Sequence, residues 1–170
     1  MAEDRNAWAL ARLELGSARR VLEIGFGPGR ALRALLERHP ALEVCGVDRS
    51  EVAVRRAERW RAALPSAAKL HLSQGPLEEL SPALGRFDRI LAINVNAYWL
   101  RPDTAFPPTL ACLAPGGFFL AAFDPPSARR GEEIAAALKA GVSSFAGMSF
   151  AVEREAGAGM TAVRVRRSAD

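Results

Sequence analysis

Three glycines at alternate positions close the run Val21-Leu22-Glu23-Ile24-Gly25-Phe26-Gly27-Pro28-Gly29, and no other stretch restricts the fold as much. The residues before the glycines read as a buried strand. Gly25, Gly27 and Gly29 lack the Cβ atoms that would obstruct a tight turn or a closely approaching ligand. From Arg30 to Arg38, Ala31, Leu32, Ala34 and Leu35 fall at helical spacing among arginine and glutamate. The turn therefore opens a helix, whose free N–H groups and positive dipole end favour a negative ligand group. A second apolar stretch, Leu42 to Val47, ends in the acid Asp48. Strand, glycine turn, helix, strand and acid in this order describe a nucleotide-cofactor site.

The glycine spacing separates two cofactors. A dinucleotide fingerprint, G-x-G-x-x-G, would place its third glycine on Arg30, whereas G-x-G-x-G with an acid two positions upstream, Glu23, fits throughout. This arrangement resembles motif I of the class I S-adenosylmethionine-dependent methyltransferases. The resemblance implies S-adenosyl-L-methionine as cofactor and S-adenosyl-L-homocysteine as product. It also implies that Glu23 helps to hold the methionyl end and that Asp48 accepts from both ribose hydroxyls. The implied sheet is seven-stranded and mostly parallel, in the order 3-2-1-4-5-7-6, over about residues 18 to 168. Many relatives carry an Asp after the glycine of the strand-three loop to accept from the adenine amino group, but here Gly75 precedes Pro76 and Leu77. Backbone groups near Leu77, or the side chain of Gln74 or Glu78, are left to recognise the base.

Along the chain, Asp4 can cap a first helix, about residues 4–16, with Trp8, Leu10, Ala11 and Leu15 on its apolar side and Gly16 at its end. Strand one covers Arg20 to Ile24 and strand two Leu42 to Val47. Ser50 opens a helix whose Ala53, Ala57, Trp60 and Leu64 recur at helical spacing, and Pro65 stops it. That spacing packs Trp60 on the sheet rather than on a cofactor. Lys69 to Ser73 is strand three, a short helix lies near Leu77 to Leu84, and Phe87 to Asn94 is strand four. Asp103 to Leu113 reads as a helix ended by Ala114-Pro115-Gly116-Gly117, ahead of an apolar fifth strand, Phe118 to Phe123. Ser127 caps a helix through Leu138. Ser149 to Arg154 and Ala162 to Arg167 alternate as a terminal hairpin around Ala156-Gly157-Ala158-Gly159. Alternating strands and helices give a doubly wound α/β fold with helices on both faces, and the hairpin adds an antiparallel last strand.

With 170 residues and 49% hydrophobic side chains, one domain spanning 1–170 is expected, too short for a separate substrate domain. The net charge of +4 comes with arginine pairs (Arg19-Arg20, Arg55-Arg56, Arg129-Arg130, Arg166-Arg167) scattered among glutamates. A solvated surface is expected, without strong nucleic-acid binding. Cys45 and Cys112 have neither metal nor disulfide spacing and read as buried apolar residues. No Cys, His and carboxylate cluster has ligand spacing, so no metal is expected. The N-terminus lacks a leader pattern, and the apolar run Gly116 to Phe123 is far short of a membrane span. A cytoplasmic protein that avoids membranes is the expectation.

In open α/β sheets the ligand lies beyond the carboxyl ends of the strands. The expected cofactor set is Glu23, Gly25, Phe26, Gly27, Gly29, Asp48, Arg49, Gly75, Pro76, Leu77 and Asn94. Arg49 is either a guanidinium laid on adenine or a solvent-facing charge. Asn94-Val95-Asn96-Ala97-Tyr98-Trp99 follows strand four, where the family keeps its substrate-facing residues. It is not Asn-Pro-Pro-Tyr, which argues against the amino-group methylation of nucleobases or glutamine tied to that motif, and Asp124-Pro125-Pro126 follows the wrong strand to replace it. Asn96, Tyr98 and Trp99, with Trp8 from the first helix, are the expected lining for a small acceptor. Alternatively, Tyr98 and Trp99 anchor the next helix.

Methyl transfer from a sulfonium is an in-line displacement governed by positioning, and it needs a base only where the acceptor must lose a proton. Neither His39, at a helix end before Pro40, nor His71, inside strand three, is placed to be one. The expected function is methyl transfer to a small molecule. The alternatives are a non-catalytic module that binds the same cofactor, and a nicotinamide-dependent oxidoreductase, which Arg30 and Glu23 disfavour.

Overall fold

A computed structural model describes residues 4–64, 69–154 and 159–167. The helix stop at Pro65 and the hairpin loop over 156–158 lie outside the described residues. The chain opens with α1 (Arg5–Ala11), then β1 (Arg20–Ile24), α2 (Arg30–Arg38), β2 (Glu43–Asp48), α3 (Glu51–Arg61) and β3 (Lys69–Gln74). There follow β4 (Phe87–Ile93), α4 (Ala97–Leu100), α5 (Pro102–Ala111), β5 (Leu113–Phe123), α6 (Ala128–Ser143), β6 (Met148–Arg154) and β7 (Thr161–Arg167). Side-chain caps start three helices: Asp4 accepts from the N–H of Asn6, Ser50 from Ala53 and Ser127 from Arg130. Each cap satisfies a donor that the first helical turn leaves open.

One sheet orders the strands β3-β2-β1-β4-β5-β7-β6. The first five are parallel, and β7 runs antiparallel to both β5 and β6. This is the doubly wound order that the resemblance implies. Successive strand residues face opposite sides, so two cores form. Trp8, Leu13, Leu32 and Leu35 cover Val21, Val44, Leu91 and Leu120 on the face of α1, α2 and α3. Tyr98, Phe106, Leu138 and Val142 cover Leu22, Ile90, Phe119 and Ala121 on the face of α4, α5 and α6. No helix among the described residues is long and apolar enough to cross a membrane.

The N-terminal helix is shorter than its apolar spacing predicts. It stops at Ala11 because Glu14 adopts a left-handed φ of 47°, and a 3-10 turn at Leu15–Ser17 follows. A distant side chain holds that break: Arg89 on β4 donates through Nε to the Leu13 carbonyl at 2.7 Å and through Nη2 to the Glu14 carbonyl at 2.8 Å. The Pro-Gly-Gly turn also lies within β5 instead of ahead of it. There the pairing with β4 shifts register between Phe87 and Arg89, Gly116 takes a φ of 72°, and a Cβ on Gly117 would stand 2.8 Å from the Asp88 carbonyl oxygen. The glycines thus form a bulge that lets two backbones touch. The short helix expected near Leu77 to Leu84 is two 3-10 turns, Leu77–Glu79 and Pro82–Leu84. At the other end of the chain, α6 continues beyond Leu138 to Ser143.

Candidate functional site

The strand order reverses between β1 and β4, and beyond their carboxyl ends the crossovers leave to opposite faces of the sheet. A ligand cleft is expected at such a switch point, and one of about 460 Å3 is found there. Gly25 follows β1, Asp48 and Arg49 come from the end of β2, and Gly75, Pro76 and Leu77 follow β3. Asn94 and Asn96 close it from the β4 side. These eight side chains or backbone positions were all expected at the site.

The three motif glycines have different physical reasons. Their φ values are 68° at Gly25, 51° at Gly27 and 76° at Gly29, all in the left-handed region that other residues avoid. A Cβ on Gly25 would lie 2.7 Å from Val95 Cγ2, and one on Gly29 would lie 2.8 Å from the Trp60 ring. Trp60 therefore packs α3 against the glycine turn itself. A Cβ on Gly27 would meet nothing within 4 Å, so only there does the missing side chain leave open space.

Two acids flank this turn. Asp48 is buried, with one carboxylate oxygen accepting from the Gly27 N–H at 2.7 Å and the other from the Ser50 N–H at 2.8 Å. Each oxygen retains a further lone pair for a ligand. Glu23, on β1, is 3% exposed, and its Oε2 has no hydrogen-bond partner. Burial pushes its carboxyl up to about 8; the backbone N–H of Leu32 works against that rise and the nearby charge of Asp48 adds to it. Buried carboxyls normally find a partner. Asp48 lines the cleft, whose volume lies within the usual range of small-molecule sites, ~300–1,000 Å3, whereas Glu23 sits just behind the lining residues Ile24 and Gly25.

Four aromatic side chains expected at the site lie elsewhere. The Phe26 ring is buried under α2, where a Cβ on Gly46 would stand 2.9 Å from it, so only its backbone belongs to the turn. Trp8 is buried in the α1–α2 core, with the Arg12 guanidinium 3.7 Å from its ring centroid. Tyr98 is fully buried. Its hydroxyl shares a 2.7 Å hydrogen bond with Thr109, its ring centre lies 4.7 Å from Phe119 and 5.4 Å from Phe106, and burial raises its phenol well above the usual range. It anchors α4 to the core. Trp99 stands behind the lining: its Nε1 donates to Asn96 Oδ1 at 3.2 Å, and the Arg130 guanidinium lies 4.6 Å from its ring centre.

Asn94 takes a φ of 56°, and its Oδ1 accepts from the Asp124 N–H at 2.9 Å, joining the ends of β4 and β5. Val95, Ala97, Leu100 and Arg101 also line the cleft, and none is marked by a motif. Arg101 lies 3.0 Å from Glu78, another lining residue. His39 caps the end of α2, and His71 sits on the outer strand β3, 4.0 Å from Glu43. Cys45 and Cys112 are buried free thiols, and no group of three potential metal ligands occurs among the described residues.

A family model for the methyltransferase domain matches residues 21–117, more than half of the chain. The chain is 38% identical over 110 residues to a trans-aconitate 2-methyltransferase of Azoarcus sp. (strain BH72), covering 64% of this chain and 40% of that protein. It is 27% identical over 112 residues to an uncharacterized methyltransferase, YdaC, of Bacillus subtilis (strain 168), covering 66% and 60%. The matches therefore span about half the length of these relatives. Among solved structures, the mitomycin 7-O-methyltransferase MmcR superposes with a TM-score of 0.76 at 17% identity, over 96% of this chain and 53% of that one. The glycopeptide N-methyltransferase MtfA, solved with S-adenosylmethionine, gives 0.74 at 17% identity, over 96% and 94%. These two share the fold. Sequence match, strand order and the placement of the glycine turn agree: the chain belongs to the methyltransferase-domain family, with the class I fold of the S-adenosylmethionine-dependent methyltransferases.

Proposed function

We propose that the chain transfers the methyl group of S-adenosyl-L-methionine to a small organic acceptor. The observation that carries this reading is the pairing, across one glycine turn, of a buried unpartnered carboxyl on β1 with a backbone-held carboxylate on β2. The ribose diol belongs at Asp48, and the methionyl ammonium at Glu23. An ammonium there supplies the partner that Glu23 lacks and restores its charged form. Gly25 and Gly27 bring the backbone near the ligand, and Gly75 to Leu77 border its base. When bound, the cofactor supplies an activated methyl group on a sulfonium. The chain contributes alignment: Asn94 and Asn96 border the space in which an acceptor must lie in line with that group.

A carboxylic acid is the acceptor class this reading favours. Several relatives are named trans-aconitate 2-methyltransferases. Two guanidinium groups stand two contacts behind the lining: Arg5, 4.0 Å from Asp124, whose N–H bonds Asn94, and Arg130, over the Trp99 ring, whose Nε1 bonds Asn96. A carboxylate is also anionic at neutral pH, so no side chain has to remove a proton from it. Many arginines, on this side and others, are paired with acids on the surface, as in Arg33–Glu37, Arg55–Glu51, Arg61–Glu58 and Arg130–Glu133. That supports a small acceptor over a nucleic acid.

Native mass spectrometry of the purified protein with S-adenosylmethionine or S-adenosylhomocysteine tests the cofactor. A panel of di- and tricarboxylic acids, followed by mass spectrometry for methyl esters, tests the acceptor. Failure to bind either sulfur nucleoside overturns the reading. Firm cofactor binding with no ester from any acid, but methylation of an alcohol or amine, overturns the acceptor class alone.

A further inference from the structure

β6 ends the sheet on the side away from β3, and among the described residues nothing pairs with its outer edge. A free edge offers a row of backbone donors and acceptors to a further strand, and chains that avoid such pairing place lysine, proline, other charges or a bulge on it. The β3 edge is guarded in this way, with Lys69 and His71 exposed. β6, Met148-Ser149-Phe150-Ala151-Val152-Glu153-Arg154, has no lysine or proline and pairs with β7 without a register shift. Its two charges are held within the chain: Glu153 by Arg12 and Arg164, at 3.3 and 2.7 Å, and Arg154 by Glu132 at 3.4 Å. Phe150 is 38% exposed on the α6 side, where the Lys139 ammonium lies 5.6 Å from its ring centre. Val152 faces the same side and, with Ala135, Ala136 and Lys139 of α6, lines an open groove of about 390 Å3.

An edge strand pairs antiparallel with its own copy about a two-fold axis normal to the sheet only in registers that keep each face matched, so one residue must lie on the axis. With Ala151, the midpoint of β6, on the axis, the whole strand is paired: Ala151 meets Ala151, Phe150 meets Val152, Ser149 meets Glu153 and Met148 meets Arg154. The smallest side chain of the strand then opposes itself, and no charge opposes its like. Each Phe150 stands beside the other copy's Val152, at the groove along the other copy's α6. Exposed ring and open groove are thus complementary in this one register. We propose that β6 joins two copies of this chain into one continuous sheet, with Phe150 of each seated against Val152 and α6 of the other. β5 and β7 separate this edge from the cleft, so both copies keep the cleft open.

Sedimentation of the purified chain over a range of concentrations tests this. One short strand pair makes a small interface, so the chain should give way to a species of twice its mass with a Kd of about 1–100 µM. Ala151→Lys, whose side chain is exposed in the single copy, sets two ammonium groups against each other on the axis and should weaken association at least about tenfold. Phe150→Ala, which leaves the groove unfilled, should weaken it by a similar factor. Ala151→Cys should cross-link to its own copy under mild oxidation, because opposed residues have Cα atoms about 4.5–5.5 Å apart, within disulfide reach, while Cys45 and Cys112 are buried. Thermal melts verify that the variants fold. A chain that stays monomeric throughout, association undiminished in Ala151→Lys or in Phe150→Ala, or a dimer that Ala151→Cys does not cross-link overturns the proposal, and none of these results bears on the cofactor reading.

Discussion

Replacing Glu23 by Gln should stabilise the fold and weaken cofactor binding in the same protein. Burial raises the Glu23 carboxyl from 4.5 to about 8 in the folded chain. An acid whose folded pKa is raised binds its proton more tightly in the native state. Its protonated form therefore adds stability in full below the unfolded value, and that stability is lost as pH rises from 4.5 to about 8. At pH 7 the loss spans roughly 2.5 pH at about 1.4 kcal/mol each, on the order of 3 kcal/mol. Glutamine has nearly the same shape and does not titrate, but its buried amide forfeits about 1–2 kcal/mol if left unpaired. A net gain of about 1–2 kcal/mol at pH 7 should remain, visible as a Tm several degrees higher.

The pH dependence gives the sharper test. Wild-type stability, followed by urea melts, should decline from about pH 5 to about pH 8, and that of Glu23→Gln should stay flatter over the same window. Cofactor binding should go the other way. A cationic ammonium stabilises the carboxylate, so association below pH 8 should release a proton, measurable as a binding enthalpy that varies with the buffer. Affinity should rise with pH until Glu23 is ionised, and the Gln variant should bind about ten- to hundredfold more weakly. Wild-type stability that is flat across this window, together with undiminished affinity in the variant, would refute the reasoning.

Gly27→Val should lower cofactor affinity at least about tenfold, because its side chain enters the one open space beside the turn; it should also destabilise by about 1–2 kcal/mol, since φ is left-handed there. Calorimetry and melting read the two effects separately, and unchanged affinity would make the turn purely architectural. Asp48→Ala should weaken binding by about 1.5–3 kcal/mol and also lower Tm, because the N–H groups of Gly27 and Ser50 lose their acceptor. Tyr98→Phe should lose about 1 kcal/mol of stability with cofactor affinity and turnover unchanged. A selective loss of turnover would return Tyr98 to the acceptor pocket.

Local interactions were the legible part of this chain. β1 and α2 have the bounds that apolar spacing and the glycine turn imply, and Asp4, Ser50 and Ser127 cap as expected because each bond closes within a few residues. The early end of α1 depends on Arg89, which reaches Leu13 and Glu14 from a strand more than 70 residues away, and the bulge at Gly117 depends on the Asp88 carbonyl. No window of local sequence contains those pairs. The order of the strands likewise came from family resemblance, not from the apolar pattern.

In the site, residues directly after a strand were readable because strand ends point at the cleft, whereas Leu100 and Arg101 arrive from the helix layer and have no such marker. The aromatic assignments failed for a different reason. Trp8 lies on the apolar stripe of its own helix, so the periodicity that predicted the helix already placed it inward, and ring chemistry was given too much weight against it. Tyr98 could satisfy its hydroxyl through Thr109 and so lost any need for a wet surface.

Glu23 is the opposite case, an acid that breaks the pattern of its strand and is nonetheless kept inside. Val21, Leu22 and Ile24 around it are buried apolar residues, and a fourth would pack there without a desolvation penalty. The backbone N–H of Leu32 offsets only part of that penalty, since Oε2 is unpartnered and the neighbouring Asp48 charge increases it. Departures from local consistency of this kind concentrate where a ligand completes the structure. On the proposed reading, the group that satisfies Glu23 is the ammonium of S-adenosylmethionine, arriving at the end of β1 while the rest of the cofactor extends toward Asp48.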